Sequence, residues 1–306
     1  MRVAFFGTPM HVVPYLDVIA AAHELVAVVT QPDRPRGRSG TPMAPPVKDA
    51  ALEAGVPVLQ PERCGSDETI SALSELAIDL FVVAAYGQIM PPHLLALPAR
   101  RAINVHYSLL PKLRGPAPVQ HAILEGLTQT GVTVQYVHER VDRGDVLRQE
   151  VVDILPADRT DSLTARLTIV ACGALQTVLD DIADDRASAR PQDESEATYA
   201  HLLTKSAGRI DWTRRATDIH CQIRGCYPWP VAWCGVENPL RVLDAEVVSA
   251  TGEPGEIVEI RPTEGLVVAC GEGGLLLREL QPAGRKRLTA PEYLRGARIA
   301  AGDRLE

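Results

Sequence analysis

The sequence predicts an α/β fold: a doubly wound, mostly parallel sheet, followed by a small C-terminal β-barrel. Three patterns predict it. Short runs rich in Val, Ala and Ile alternate with helix-patterned stretches through the first half of the 306 residues, the β-α repetition of a doubly wound sheet. Those runs lack polar alternation, as parallel strands buried on both faces do. Toward the C-terminus, brief strand-like runs are split by Gly and Pro, a spacing of turns that suits a barrel.

Strands are expected at residues 3–6, 25–30, 57–59, 80–84, 102–105 and 132–137, with helices at 11–22, 47–54, 67–76 and 119–125. The first run, Val-Ala-Phe-Phe, ends at Gly7; it is too short for the apolar region of a signal segment and reads as a buried strand. The stretch 159–183 has the spacing of a long amphipathic helix, with Thr160 as its N-cap and Asp161 in its first turn. Residues 184–198 hold few apolar side chains and read as a connector. The expected division is a first domain over 1–189, a linker over 190–208 and a barrel domain over 209–306. Within the last, a helix is expected at 216–223 and strands at 231–234, 240–248, 255–260, 265–270 and 274–280.

Hydrophobic residues make up 46% of the chain but aromatics only 4%, so aliphatic side chains must fill the core. The net charge of −8 disfavours nucleic acid as a partner unless a local basic patch provides the potential. The six cysteines form no Cys-x-x-Cys pair; free thiols in a reducing compartment are expected, and neither structural zinc nor another metal is signalled. No uninterrupted apolar run is long enough to cross a bilayer, so the cytoplasm is the expected location. Gly7-Thr8-Pro9 follows the first strand, but neither phosphate-binding glycine pattern is present, so a tight turn with Pro9 opening a helix is the reading.

The densest polar cluster is Asn104-Val105-His106-Tyr107-Ser108-Leu109-Leu110-Pro111, at the end of a strand. Alternation places Asn104, His106 and Ser108 on one face if the strand persists that far. A lone His in a strand is more often structural, and Val141-Asp142-Arg143-Gly144-Asp145 taken alone reads as a turn. If a parallel neighbour sets Asp142 beside His106, the three form a set suited to acyl transfer: Asn104 donates to an oxyanion, His106 moves a proton and Asp142 orients the imidazole. No Gly-x-Ser-x-Gly elbow is present, so the acyl group would pass straight to an external amine.

Asn104-x-His106-x-Ser108-Leu-Leu-Pro111, followed by Gly115, resembles the signature of the 10-formyltetrahydrofolate-dependent formyltransferases, and Asp142 in Val-Asp-Arg-Gly-Asp resembles that family's catalytic aspartate. Gln31-Pro-Asp-Arg-Pro35, Gly37-Arg38, Arg209-Ile-Asp-Trp212, Pro228-Trp-Pro230 and Leu280-Gln-Pro-Ala-Gly284 resemble the branch that acts on an aminoacylated tRNA. The resemblance implies a Rossmann-like catalytic domain and an OB-like barrel, with 10-formyltetrahydrofolate as co-substrate and methionyl initiator tRNA as acceptor. It implies Asn104, His106 and Asp142 as catalytic residues. Ser108, Leu109, Leu110, Pro111, Tyr86, Gly87 and Ile89 would form the folate site. Arg34, Arg36, Arg38, Lys112 and Arg114, with Arg285, Lys286 and Arg287, would meet tRNA phosphates.

Three departures stand out. Tyr107 occupies a position where a small residue is expected, and would narrow the pocket. Met10 and His11 replace an acidic residue and Phe. Ser39-Gly40-Thr41 follows Arg38 where lysines are common. A transferase for a small amine, a hydrolase releasing formate, and an RNA-binding protein without catalysis are the rival readings; the last leaves Asn104, His106 and Asp142 without a purpose.

Overall fold

The computed structural model describes residues 1–35, 40–236 and 238–306. The chain forms two compact units: Met1–Pro118, Gln129–Asp153 and Thr164–Ala200 make the first, and Val119–Thr128, Ile154–Leu163 and His201–Glu306 the second.

The first unit is built on the strands β1 (Arg2–Gly7), β2 (Glu24–Val29), β3 (Arg34–Pro35), β4 (Pro42–Met43), β5 (Val58–Leu59), β6 (Leu80–Ala84), β7 (Ala102–His106), β8 (Gln129–Tyr136) and β9 (Val146–Asp153). β3 and β4 pair with each other; the rest form one sheet of order β5-β2-β1-β6-β7-β8-β9. Pairing from β5 to β7 is parallel. The chain runs outward from β1 to β2 and β5, then returns to β6 and β7, so the order reverses between β1 and β6. Ligands in such sheets bind beyond the carboxyl ends at this point. Helices α1 (Pro14–Ala22), α2 (Pro46–Glu53), α3 (Asp67–Ser74) and α4 (Pro92–Leu95) lie between these strands in the chain.

The core follows from the apolar runs. Val3, Ala4, Phe5 and Phe6 are fully buried, as are Leu80, Phe81 and Val82. The few aromatics cluster: the Phe6 ring lies 4.8 Å from Phe81 and 5.4 Å, edge-on, from Tyr86.

Two features of this sheet differ from expectation. β8 is antiparallel to β7, not parallel, and starts at Gln129. β9 goes unforeseen because Val-Leu-Arg-Gln-Glu-Val-Val-Asp is an edge strand with a wet face, and its polar residues hide the apolar ones.

Two further helices are α5 (Pro118–Leu124) and α6 (Thr160–Ala183). With 24 residues, α6 is long and apolar enough by composition to cross a membrane. Its pattern is that of a core helix: Leu163, Leu167, Ala171, Leu175, Val178 and Ile182 are buried, while Asp161, Ala165, Ile169, Gly173 and Asp180 form the exposed stripe. Thr160 is the first helical residue, and its hydroxyl donates to the Gly225 carbonyl at 2.8 Å, so it is not the N-cap expected.

The second unit contains α7 (Ala216–Gly225), β10 (Ala232–Cys234), β11 (Leu240–Val248), β12 (Ile257–Arg261), β13 (Gly265–Ala269), β14 (Gly274–Pro282), β15 (Leu288–Thr289) and α8 (Ala290–Gly296). The sheet is antiparallel with order β10-β11-β14-β13-β12, and β15 pairs with β14. The sheet is not the closed barrel expected: among the described residues no pairing joins β10 to β12. Ile219 and Ile223 of α7 share its core with Val242, Leu266, Val268, Leu275 and Leu277, so a helix covers the apolar face that closure would otherwise bury. α8 is not among the expected helices, although its signal is local: Thr289 and Glu292 form a capping box that opens it.

Replacing Phe81 with Ala removes a ring with no exposed surface from against Phe6. We expect a stability loss of about 3–5 kcal/mol in chemical denaturation; a midpoint unchanged from wild type would contradict this packing.

Candidate active site

Asn104 and His106 lie two residues apart on β7, so they share a face. In the antiparallel register Asn104 faces Gln135 and His106 faces Thr133 of β8. The connection from β8 to β9 brings Asp142 back over that face. Asp142 has a left-handed backbone, φ 55°, a conformation Asp tolerates better than most residues. Two residues on, Gly144 is a steric requirement, since a Cβ there would lie 1.6 Å from the Tyr136 carbonyl oxygen.

The Asp142 carboxylate gathers the site. Its Oδ1 accepts from Asn104 Nδ2 at 3.3 Å and from Gln135 Nε2 at 3.1 Å. Its Oδ2 accepts the Gly115 backbone N–H at 2.8 Å and stands 3.6 Å from His106 Nδ1. The Asp142 and His106 side chains are 10% and 7% exposed, so these interactions act in a site largely shielded from water. His106 Nε2 lies 2.9 Å from the Leu113 carbonyl oxygen; a carbonyl only accepts, so Nε2 carries the proton and Nδ1 is turned to Asp142. Asn104 uses one Nδ2–H on Asp142, and its second is not taken by any described residue. An amide donor, an imidazole and a carboxylate thus share one small space, a set able to stabilise an oxyanion and relay a proton.

Residues 1–179 match the model of a family described as formyl transferase, and residues 202–298 match its C-terminal domain. The chain belongs to the formyl transferase family. It is 42% identical over 307 residues to the methionyl-tRNA formyltransferase of Bacillus subtilis, covering 99% of this chain and 96% of that one. The corresponding protein of Geobacter sulfurreducens is 40% identical over 307 residues, covering 100% and 96%. In fold, the chain is similar to an N-formyltransferase from Helicobacter canadensis solved with folinic acid and dTDP-3-aminofucose, with a TM-score of 0.68 and 16% identity over 90% of this chain and 98% of that one. It is also similar to HypX from Aquifex aeolicus with tetrahydrofolic acid, with a TM-score of 0.67 and 17% identity. All of this chain is covered there, but only 50% of HypX.

The other site residues expected of this formyltransferase surround that cluster or lie apart from it. The Ser108 hydroxyl is buried and donates to the Lys112 carbonyl. The Leu110 N–H donates to Thr133 Oγ1 at 3.1 Å, and its carbonyl accepts from Gln149 at 2.8 Å. Leu109 packs over Gly131, where an added Cβ would meet its Cδ2 at 2.5 Å. Leu110–Pro111 is a cis peptide. Tyr86 is buried; its carbonyl accepts from Thr8 Oγ1 at 2.9 Å and Gln31 Nε2 at 3.1 Å. Its hydroxyl is buried without a hydrogen-bond partner among the described residues. Gly87 is left-handed, φ 90°, and Ile89 is 75% exposed.

The basic residues divide. Arg34 is paired with Glu62 at 3.3 Å, both exposed. Lys112, Arg285 and Lys286 are exposed, and Arg287 is paired with Glu279. Arg36 and Arg38 lie outside the described residues. Arg114 is corrected: its guanidinium is buried and bonded to Gln192 and Glu194, so it presents no surface cation to a phosphate. The Tyr107 hydroxyl lies 2.6 Å from that of Tyr15 and 2.8 Å from Thr168 Oγ1, and its ring centroid is 5.5 Å from that of His11. Burial pushes the hydroxyls of Tyr15 and Tyr107 above the ordinary tyrosine range, so both remain neutral donors.

Gln135 is the site residue sequence reasoning missed. A polar side chain within Val132-Thr133-Val134-Gln135 is the signal that could have found it, because an amide facing a sheet interior needs a partner.

Asp142→Asn leaves one carbonyl oxygen for N–H donors that now approach both oxygens. We expect a stability loss of about 1–3 kcal/mol from the unpaired donor; a denaturation curve matching wild type would refute the hydrogen bonds assigned to this carboxylate.

Proposed function

We propose that this chain transfers the formyl group of 10-formyltetrahydrofolate to the α-amino group of methionyl initiator tRNA, giving formylmethionyl-tRNA for translation initiation. The observation that carries the reading is the similarity of the whole chain, at 40–43% identity, to methionyl-tRNA formyltransferases. The amide, imidazole and carboxylate gathered at Asp142 supply the matching chemistry.

In the proposed mechanism the neutral amine attacks the formyl carbon, forming a C–N bond. An α-amino group titrates near neutrality, about pKa 7.7–8.0, so a useful fraction of it is unprotonated. The carbonyl oxygen gains negative charge, and the free Nδ2–H of Asn104 donates to it. The amine sheds a proton to the Asp142–His106 pair. The bond from the formyl carbon to N10 breaks, and N10 takes up that proton, leaving tetrahydrofolate and the formamide. The folate would lie in the crevice beyond β1 and β6, between Ser108, Leu109, Leu110 and Pro111 on one side and Tyr86, Gly87 and Ile89 on the other. An apolar side chain left 75% exposed at Ile89, near a glycine that adds no bulk, fits an aromatic ring system.

Arg34, Arg36, Arg38 and Lys112 on residues 1–189, and Arg285, Lys286 and Arg287 on residues 209–306, are the proposed phosphate-binding groups. Exposed ion pairs such as Arg34–Glu62 contribute little and can be exchanged for a phosphate. We take the antiparallel sheet of the second unit as a partly open OB-like barrel, a form that often carries nucleic acid, and place the protein in the cytoplasm.

With charged initiator methionyl-tRNA, charged elongator methionyl-tRNA and free methionine as acceptors, only the first should be formylated, and Asn104→Ala should lower turnover roughly 10²–10³-fold. Formate release without acylated RNA would sink the acceptor. Removing Arg285 and Lys286 together should reduce the slope of log affinity against log salt by about one for each phosphate no longer neutralised; an unchanged slope would remove them from the tRNA surface.

A further inference from the structure

We propose that Gln192 is a positioning residue for Asp142, so that residues 190–200, expected to be part of a connector, belong to the catalytic apparatus. The proposal rests on the transferase reading above. One segment of chain holds both sides of the Asp142–His106 pair.

Gln192 Nε2 lies 2.9 Å from the Asp142 carbonyl, 2.7 Å from the Gly144 carbonyl and 3.0 Å from Gln135 Oε1. All three can only accept, so the amide nitrogen must face them. Gln192 Oε1 accepts from Arg114 Nε at 3.1 Å and from an Arg114 terminal nitrogen at 2.7 Å. Arg114 can only donate, so the amide has one orientation. Its donors hold the backbone of the left-handed Asp142 and also Gln135, which grips the Asp142 carboxylate. Glu194, two residues on, pairs with Arg114 at 2.7 Å and with Arg143 at 3.0 Å. The turn carrying Asp142 is thus fastened at residues 142, 143 and 144.

The same segment reaches the imidazole side. Thr198 Oγ1 accepts the Leu113 N–H at 2.9 Å, and Leu113 gives its carbonyl to His106 Nε2. Residues 190–200 are themselves tied down at both ends. Arg190 and Val146 exchange backbone hydrogen bonds at 2.8 and 2.9 Å. Arg114 N–H donates to the Thr198 carbonyl at 2.9 Å, and Ala200 N–H to the Arg114 carbonyl at 2.7 Å. The 3.6 Å separation of His106 and Asp142 is therefore set by one segment that grips the supports of both.

Two variants separate positioning from mere packing. Gln192→Ala removes the whole amide, donor and acceptor together. Gln192→Glu keeps the shape and still receives Arg114, but offers no donor to the three acceptors. Steady-state formyl transfer should show kcat reduced in both, on the order of 10- to 100-fold, as when the supports of a reacting group are removed, with KM for the folate near wild type. Hydrogen exchange across residues 141–145 should quicken in both. Wild-type kcat in Gln192→Glu, whatever Gln192→Ala does, would mean that Gln192 only seats Arg114 and would overturn the proposal; so would a raised KM with unchanged kcat. If wild type transfers no formyl group, the function reading fails, and exchange at residues 141–145 alone decides this one: unchanged exchange in Gln192→Glu overturns it.

Discussion

The Asp142 carboxylate is the point on which the site depends. Two oxygens collect donors from a strand residue, its cross-strand neighbour and a backbone N–H twenty-seven residues away in sequence, and one of them also faces His106. A carboxylate that accepts several N–H bonds is fixed in direction, and in a shielded site each bond is stronger than it would be in water. Asn104 is aimed by its bond to this group, and the imidazole is aligned between it and the Leu113 carbonyl. Displacing the carboxylate would leave the amide and the imidazole without common orientation.

That arrangement needs the sheet to change direction. From β5 to β7 the parallel strands send their carboxyl ends to one edge, where ligands of such sheets bind. The antiparallel β8 then sets Gln135 opposite Asn104, and the return toward β9 carries Asp142 over both. The stretch between β7 and β8, which includes α5, is long enough for either direction; a parallel β8 would have given a different register opposite Asn104. Glycine completes the turn, because the close approach of Gly144 to the Tyr136 carbonyl leaves no space for a side chain.

Burial of Arg114 shows how charge in a sequence misleads. Along the chain, Lys112-Leu-Arg114 is a basic pair that follows the Asn104–Pro111 motif. In the fold the two part company: Lys112 is exposed while Arg114 is fully enclosed by Gln192 and Glu194. A buried guanidinium is tolerated only with a paired carboxylate and saturated donors, and the residues that meet this need lie near eighty positions away.

The sequence by itself determined the doubly wound sheet, because apolar runs such as Val3-Ala4-Phe5-Phe6 and Leu80-Phe81-Val82-Val83 have no stable exposed form. It also determined that Asn104 and His106 share a face, through the two-residue period of a strand, and its local motifs carried the resemblance to the formyltransferases. Only the tertiary structure decided that β8 runs antiparallel, that β9 exists, that the second sheet stays open under α7, and that Gln135 and Gln192 support Asp142. Those outcomes rest on hydrogen bonds between residues far apart in the chain. A polar side chain in an apolar run announces that it needs a partner, but which partner it finds is fixed only when strand register and segment packing bring the two within about 3 Å.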